Sequence, residues 1–157
     1  MLYAAYVQHI IYDFAVRTII DLGCGDWRFS KYLDLGKCDY LGVDIVPSVI
    51  AVNTAAYGNA HLRFEATDIT AFSVPPCDLL LCKDVMQHLS NANVQAILAR
   101  STVAGLAVFT NGYHSVNEDC TNGSARPLDI TAPPFAFPAT PRLAFAGKVS
   151  FLAQNTR

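Results

Sequence analysis

Thr18-Ile-Ile-Asp-Leu-Gly-Cys-Gly-Asp-Trp-Arg-Phe-Ser30 is the most informative stretch of this chain. Its first five residues are mostly apolar and β-branched, and a glycine follows them, which predicts a buried strand that ends in a tight turn. Gly23 and Gly25 lack a Cβ, so the backbone can turn sharply and a ligand can lie against it. Helical spacing follows in Phe29, Tyr32 and Leu33. The stretch therefore predicts a strand, a ligand loop and a helix whose first amide groups face the ligand.

Strand, glycine turn and helix also begin a dinucleotide site, so the polar residues of the loop have to distinguish between ligands. The dinucleotide fingerprint requires Gly-x-Gly-x-x-Gly, and here Arg28 occupies the position of the last glycine. Asp21 and Asp26 flank the glycines, and two carboxylates would repel a pyrophosphate. S-adenosylmethionine carries a sulfonium, an ammonium and a ribose with two free hydroxyls, so it fits acidic groups beside a glycine turn better.

The segment Asp21-Leu-Gly-Cys-Gly-Asp26 resembles motif I of the class I S-adenosylmethionine-dependent methyltransferases. The usual pattern has a third glycine, Gly-x-Gly-x-Gly, where this chain has Trp27. The resemblance implies an α/β fold, namely a Rossmann-like three-layer αβα sandwich. Its mostly parallel sheet would have the strand order 3-2-1-4-5 and a C-terminal antiparallel strand. The resemblance also implies S-adenosylmethionine as cofactor and S-adenosylhomocysteine as product.

A second predicted strand, Tyr40-Leu-Gly-Val-Asp-Ile45, ends near Asp44. Asp44 follows Asp21 at about the 20-residue separation at which α/β nucleotide sites place the carboxylate that binds ribose. A carboxylate offers two acceptor oxygens to two adjacent hydroxyls. Asp44 is therefore predicted to bind ribose, and the alternative is a solvated aspartate at the end of a strand.

A third strand, Leu62-Arg-Phe-Glu-Ala-Thr-Asp-Ile69, alternates apolar and polar residues and also ends in an acid. By resemblance, Asp68 accepts from the adenine amino group and the backbone amide of Ile69 donates to the ring. The alternative role for Asp68 is the N-cap of a short helical turn. Taken together, the resemblance implies a cofactor site formed by Asp21, Gly23, Cys24, Gly25, Asp26, Asp44, Ile45, Asp68, Ile69 and Lys83.

The run Asp78-Leu-Leu-Leu-Cys82 has the continuous apolar character of a central parallel strand covered on both faces. It delivers residues 83–88 to the carboxyl edge of the sheet, where α/β proteins place their chemistry. The segment Lys83-Asp-Val-Met-Gln-His-Leu-Ser90 resembles the motif that follows this strand in the family.

Two catalytic candidates lie in that segment. Alignment can supply on the order of 7–11 kcal/mol of an in-line methyl transfer, and a base is needed only for an acceptor that arrives protonated. His88 is predicted to be this base because an imidazole titrates near neutrality; support of the following helix is the alternative. Asp84 is predicted to accept from the substrate or to help hold the methionine ammonium.

The composition bounds the class of protein. The chain has 157 residues, of which 52% are hydrophobic and 15% charged, which predicts a single ordered domain over residues 1–157. Its net charge is −2 and its eleven Lys and Arg residues form no run, which argues against nucleic acid as a partner. The five cysteines include no Cys-x-x-Cys pair, which argues against a disulfide framework and a structural zinc site. We therefore expect a cytoplasmic protein without a resident metal.

The two ends of the chain are predicted to complete the site. Residues 1–17 have helical periodicity without the features of a signal peptide or a membrane span; this helix packs on the sheet or presents Tyr3 or His9 to the substrate. Residues 112–147 are rich in proline and glycine, and they are predicted to form a lid or, alternatively, a stiff surface connection. The polar residues expected near the methyl donor are His114, Asn117, Asp119, Arg126 and Asp129. Lys148-Val-Ser-Phe-Leu-Ala153 is predicted to be the terminal antiparallel strand.

Three functions are consistent with these residues. The leading prediction is a methyltransferase that uses S-adenosylmethionine on a small-molecule acceptor. The second is a binding module that keeps the nucleoside pocket without catalysing transfer, and the third, disfavoured by Arg28 and the strand-end acids, is a nicotinamide-dependent oxidoreductase. The sequence predicts neither the acceptor nor the oligomeric state.

Overall fold

The computed structural model describes residues 2–155, which form three α-helices and seven β-strands. The helices are α1 (Leu2–Asp13), α2 (Pro47–Tyr57) and α3 (Asn91–Arg100). The strands are β1 (Thr18–Leu22), β2 (Asp39–Asp44), β3 (Leu62–Ala66), β4 (Cys77–Lys83), β5 (Ala104–Gly112), β6 (Thr140–Phe145) and β7 (Lys148–Gln154).

The seven strands form one sheet in the order β3-β2-β1-β4-β5-β7-β6. Strands β1 to β5 pair in parallel, whereas β7 is antiparallel to both β5 and β6. The parallel part has the predicted order 3-2-1-4-5, so the predicted α/β class with a Rossmann-like sheet is confirmed, as is the terminal antiparallel strand.

Helices cover both faces of the sheet, and β4 contacts both of them because its neighbouring residues point to opposite sides. Leu79 and Leu81 pack with α1 in one apolar cluster, whereas Leu80 and Cys82 pack with α3 in the other. All four side chains are buried. This arrangement gives the predicted three layers and explains why β4 is apolar without alternation.

The connection between β1 and β2 contains less helix than predicted. It contains one 3₁₀ turn, Ser30–Tyr32, where the spacing after Phe29 predicts a longer helix. The helix ends early because Leu33 is already extended, with ψ 132°, and Gly36 turns the chain with φ +53°. The side chain of Asp34 accepts from the amide of Gly36 (3.1 Å), which stabilises this turn instead of a further helical turn.

The predicted lid, residues 112–147, proves to be irregular only over residues 113–139. Residues 140–145 form β6 instead, because β7 offers a free edge for antiparallel pairing. A hairpin turn at Ala146 and Gly147, both with positive φ, joins the two strands. Within the irregular segment, Leu128 and Ile130 are buried in the core. The segment is thus packed onto the domain through its own side chains.

The polar residues of the irregular segment bind one another or the start of α3. Asn117 donates to the carbonyl of Asp129 and accepts from its amide, both at 2.8 Å. Asp119 accepts from the amide of Asn91 (2.7 Å), and Arg126 donates to the side chain of the same asparagine (2.6 Å). These contacts stabilise the irregular segment and the first turn of α3.

Candidate active site

Two adjoining cavities lie at the carboxyl edge of the parallel strands. The first has a volume of about 330 Å³ and lies against the loop that follows β1. The second has a volume of about 460 Å³ and lies beside the segments that follow β2, β3 and β4. Gly23, Asp44, Asp84 and Val85 line both cavities. The two cavities therefore meet where α/β sheets bind ligands.

The structure brings the ten predicted cofactor residues and the two catalytic candidates to these cavities. The first cavity is lined by Asp21, Gly23, Cys24, Gly25, Asp26, Asp44, Lys83 and Asp84. The second is lined by Gly23, Asp44, Ile45, Asp68, Ile69, Asp84 and His88. Their individual roles stay predictions, because position alone does not establish what each residue binds.

The N-terminal helix and the irregular segment supply fewer residues to the cavity walls than predicted. Tyr3 of α1 lines the first cavity, whereas His9 is exposed and pairs with Asp13. None of the five polar residues of the irregular segment that were predicted to approach the methyl donor lines either cavity. Asn122 and Gly123 do so instead, at the second cavity.

The glycine loop leaves room for a ligand. Gly23 and Gly25 have φ +76° and +53°, a region that favours glycine. A Cβ at Gly23 would lie 2.1 Å from Cγ2 of Val85, so the loop packs directly on the segment after β4. A Cβ at Gly25 would meet no atom within 4 Å, because this glycine faces open space beside the first cavity. The loop therefore fits a group that lies against bare backbone.

The carboxylate of Asp44 is held at the junction of the cavities by two backbone amides. Oδ2 accepts from the amide of Gly25 and Oδ1 from the amide of Val46, both at 3.0 Å. Each carboxylate oxygen has capacity for a further hydrogen bond. Asp44 can therefore accept from two ligand hydroxyls without giving up the contacts that orient it.

Asp21 is buried at the base of the first cavity. Its Oδ2 accepts from the hydroxyls of Tyr40 (2.6 Å) and Ser30 (3.2 Å). Burial raises the pKa of Asp21 to about 6, although both hydrogen bonds and the nearby charge of Lys83 lower it. At neutral pH this carboxylate is thus mostly ionised and able to attract a cationic group.

Lys83, Asp84 and Lys148 form an ion cluster on the other side of the first cavity. Lys148 of β7 donates to Oδ2 of Asp84 at 2.6 Å, and Lys83 pairs with the same oxygen. The Lys83 ammonium also lies 4.2 Å from the ring centre of Phe29. Burial alone would raise the pKa of Asp84, but the hydrogen bonds and charges of the two lysines outweigh it and lower the pKa. Asp84 thus stays ionised, which makes it a weak base.

His88 lies at the second cavity, between two fixed partners. The amide of Gly112 donates to Oε1 of Gln87 (2.8 Å), which orients the Gln87 amide so that its Nε2 donates toward Nε2 of His88 (3.3 Å). Nδ1 of His88 faces the carbonyl of Ser124 at 2.8 Å and must therefore carry the proton. This geometry assigns the tautomer and favours a role in supporting the loop; the role of base stays a prediction.

Two predicted cofactor residues have contacts that limit their chemistry. Oδ1 of Asp68 accepts from the amide of Thr70 (2.8 Å), so this residue stabilises the turn after β3 as the alternative interpretation predicted. Burial raises the pKa of Cys24, and the charges of Asp21 and Asp44 raise it further. The thiol of Cys24 therefore stays protonated and can only pack against a ligand.

Two residues that bind side chains of the cavity walls were not predicted from the sequence. Lys148 reaches Asp84 only through the antiparallel pairing of β7 with β5, where it lies opposite Gly112. Tyr40 reaches Asp21 from the neighbouring strand.

Among residues 2–155, no three His, Cys, Asp or Glu side chains are grouped as metal ligands would be. Within the same range, no helix has the length and apolar character needed to cross a membrane.

The sheet order is that of a class I methyltransferase fold. A sequence profile described as "Methyltransferase domain" matches residues 19–103, more than half of the chain. The chain therefore belongs to the methyltransferase domain family, in which S-adenosylmethionine is the methyl donor. No functionally curated protein matches the sequence significantly.

Solved structures of methyltransferases share the fold. Human N-acetylserotonin methyltransferase, in complex with S-adenosylmethionine, has a TM-score of 0.71 at 12% identity, over 99% of this chain and 55% of that one. TehB from Haemophilus influenzae has a TM-score of 0.72 at 16% identity, over 97% and 62%. A TehB-like methyltransferase from Corynebacterium glutamicum has a TM-score of 0.56 at 27% identity, over 67% and 61%. The chain thus spans between about half and two-thirds of these proteins.

Proposed function

We propose that this chain is an S-adenosylmethionine-dependent methyltransferase domain that transfers the methyl group in line to a small-molecule acceptor. The observation that carries the proposal is the meeting of the strand-end acids at two adjoining cavities. Asp21 lines the first cavity, Asp68 lines the second, and Asp44 lies on the shared wall. A ligand with a cationic end, a diol in its middle and a flat base would contact all three.

The second cavity would hold the adenosine portion. Asp44 would accept from the ribose hydroxyls, since both of its oxygens are oriented and have lone pairs to spare. Ile45 and Ile69 supply apolar surface for the base, and Asp68 would accept from the adenine amino group. The amino-acid portion would then lie in the first cavity, beyond the shared wall.

The first cavity offers complementary charges to an amino acid. Asp21 would attract the ammonium, and Lys83 would pair with the carboxylate, since its ammonium lies at the cavity beside Phe29. When bound, the cofactor supplies a methyl group on a sulfonium, which is already activated for displacement. The remaining task of the protein is to align the acceptor and exclude water.

The acceptor is proposed to be small because α1 and the irregular segment each form part of a cavity wall. Tyr3 of α1 lines the first cavity, and Asn122 and Gly123 line the second. We propose residues 113–139 as the lid over the adenosine end, because the amide of Gly123 donates to the carbonyl of His88 (2.8 Å).

The negative net charge of the chain does not favour a nucleic acid as the acceptor.

Calorimetry with S-adenosylhomocysteine, S-adenosylmethionine and NAD tests the proposed cofactor. The two adenosyl ligands should bind and NAD should not, because the carboxylates of Asp21 and Asp44, which line the first cavity, would repel a pyrophosphate. A preference for NAD would reject the proposal. A screen over acceptor classes, with S-adenosylhomocysteine formation as readout, would then separate an active methyltransferase from a binding module.

Replacement of Lys83 by methionine tests the amino-acid end of the site. Lys83→Met keeps an unbranched side chain against Phe29 but removes the charge, so S-adenosylhomocysteine should bind about tenfold more weakly. Decarboxylated S-adenosylhomocysteine should bind both proteins equally, because it lacks the group that Lys83 would pair with. Lys37→Met is the matched control, since Lys37 is exposed and distant from the site. Equal losses for both ligands would contradict this role of Lys83.

A further inference from the structure

Trp27 occupies the place of the third glycine of motif I, and the structure shows that it does not enter the cavities. Its side chain is 6% exposed and lies in an aromatic cluster with Tyr40, Tyr57 and Phe64, at ring-centre distances of 5.8, 4.7 and 5.5 Å. Its φ of +56° is unfavourable for a residue with a Cβ. The aromatic contacts must therefore offset a local cost in backbone energy.

Tyr40 links this aromatic cluster to the first cavity. Its ring is 1% exposed and packs edge-on against Trp27. Its hydroxyl donates to Oδ2 of Asp21 at 2.6 Å, and the hydroxyl of Ser30 donates to the same oxygen at 3.2 Å. Both donors are thus on one carboxylate oxygen, and a ligand cation can approach the other.

We propose that Tyr40 is a positioning residue for the cofactor, which acts by holding the carboxylate of Asp21 toward the amino-acid end of the site. Trp27 in turn holds the ring of Tyr40, which gives the departure from the glycine pattern a function. The inference rests on the proposed cofactor, and it assigns to two residues outside the cavities a measurable effect on ammonium recognition.

The chemistry around Asp21 explains why the carboxylate needs this support. Burial disfavours its charged form and raises its pKa to about 6, while Tyr40 and Ser30 favour the charged form. The other titratable or charged groups that act on it are Tyr3 from α1, Lys83 and Cys82 from β4, Asp44 from β2 and Cys24 from the loop. Of these groups, only Lys83 is positive, so loss of the Tyr40 hydrogen bond would raise the pKa of Asp21 further.

The test is the pH dependence of S-adenosylhomocysteine affinity, measured by calorimetry between about pH 5.5 and pH 8.5. Wild-type affinity should fall as the pH drops through about 6, because protonated Asp21 no longer attracts the ammonium. In Tyr40→Phe this fall should move to higher pH by about one unit, which makes binding about fivefold weaker at pH 6 and nearly unchanged at pH 8. Trp27→Leu should shift the fall in the same direction.

Two controls separate positioning from general damage. Tyr57→Phe removes the same atom from a tyrosine of the same aromatic cluster and should leave the pH profile unchanged. 5′-Methylthioadenosine lacks the ammonium, so its affinity should be independent of Tyr40. Ser30→Ala removes the longer of the two hydrogen bonds to Asp21 and should give a smaller shift in the same direction.

The outcomes distinguish the inference from the proposed function. If the wild-type protein binds S-adenosylhomocysteine but Tyr40→Phe or, where that variant does not fold, Trp27→Leu has the wild-type pH profile, the positioning role is overturned. An equal loss for 5′-methylthioadenosine would also overturn it, because the effect would not involve the ammonium. If the wild-type protein binds no adenosyl ligand at all, the proposed function fails first.

Discussion

Gly23→Ala is expected to reduce the free energy of unfolding by about 3 kcal/mol and to weaken S-adenosylhomocysteine binding at least about tenfold. The backbone at Gly23 has φ +76°, which costs a residue with a Cβ roughly 1–2 kcal/mol. The new methyl group would also lie 2.1 Å from Cγ2 of Val85. Val85 lines both cavities, so its displacement would alter the wall that they share. Urea denaturation and calorimetry measure the two effects.

Gly25→Ala is the matched control for the stability effect. Gly25 also has positive φ, but a Cβ there would meet no atom within 4 Å. This variant should lose only the conformational part, about 1 kcal/mol. Adding Val85→Ala to Gly23→Ala should recover part of the lost stability, because it removes the Cγ2 that the new methyl group would overlap. A double-mutant cycle measures this recovery. A Gly23→Ala protein as stable as wild type would contradict the close packing of the loop on the segment after β4.

The parallel core of the fold was predictable because its signals are local. Each of the first three predicted strands is a short apolar or alternating segment followed by a glycine or an acid, and a buried parallel strand such as β4 needs no alternation. The carboxyl ends of such strands share one edge of the sheet, so Asp21, Asp44 and Asp68 could be placed together from their positions alone. The cavities that the structure shows at this edge contain all three.

The contacts that sequence could not supply are those between distant segments. Trp27 stands at a glycine position of the motif, and nothing in the spacing shows that its partners Tyr57 and Phe64, which belong to α2 and β3, hold it outside the cavities. Lys148 has no motif, and only the register of β7 on β5 brings it to Asp84. Such pairings depend on how strands and helices pack, which the spacing of residues along the chain does not record.

The irregular segment shows the same limit for its polar residues. A loop that leaves the carboxyl edge of β5 was expected to present its charges to the ligand. Instead, Asp119 accepts from the amide of Asn91, one of the amides that the first turn of α3 leaves without a helical partner, and Arg126 donates to the side chain of Asn91 and to the carbonyl of Leu89 before the helix. Turn and cap contacts compete for the same side chains as ligands do, and a single sequence gives no measure of which contact is stronger.

Asp44→Ala is expected to weaken S-adenosylhomocysteine binding by at least about tenfold, because two ribose hydroxyls would lose a charged acceptor. The change also releases the amide of Gly25, which Asp44 holds at 3.0 Å, so the glycine loop loses a contact on the ligand side. Calorimetry measures the affinity directly. The stabilisation of the protein by a fixed excess of ligand should fall by about 1.4 kcal/mol in parallel.

Two further variants make the Asp44 result specific. Asp44→Asn keeps one acceptor oxygen without the charge and should lose less affinity than the alanine variant. Asp39→Ala removes a carboxylate from the opposite end of β2, where it pairs with His61 on the surface, and should bind the ligand like wild type. Since Asp44 lines both cavities and is the proposed ribose ligand, a folded Asp44→Ala protein with unchanged affinity would mean that they do not hold one nucleoside. The placement of adenosine in one cavity and the methionine portion in the other would then have to be abandoned, even though the fold is that of a methyltransferase.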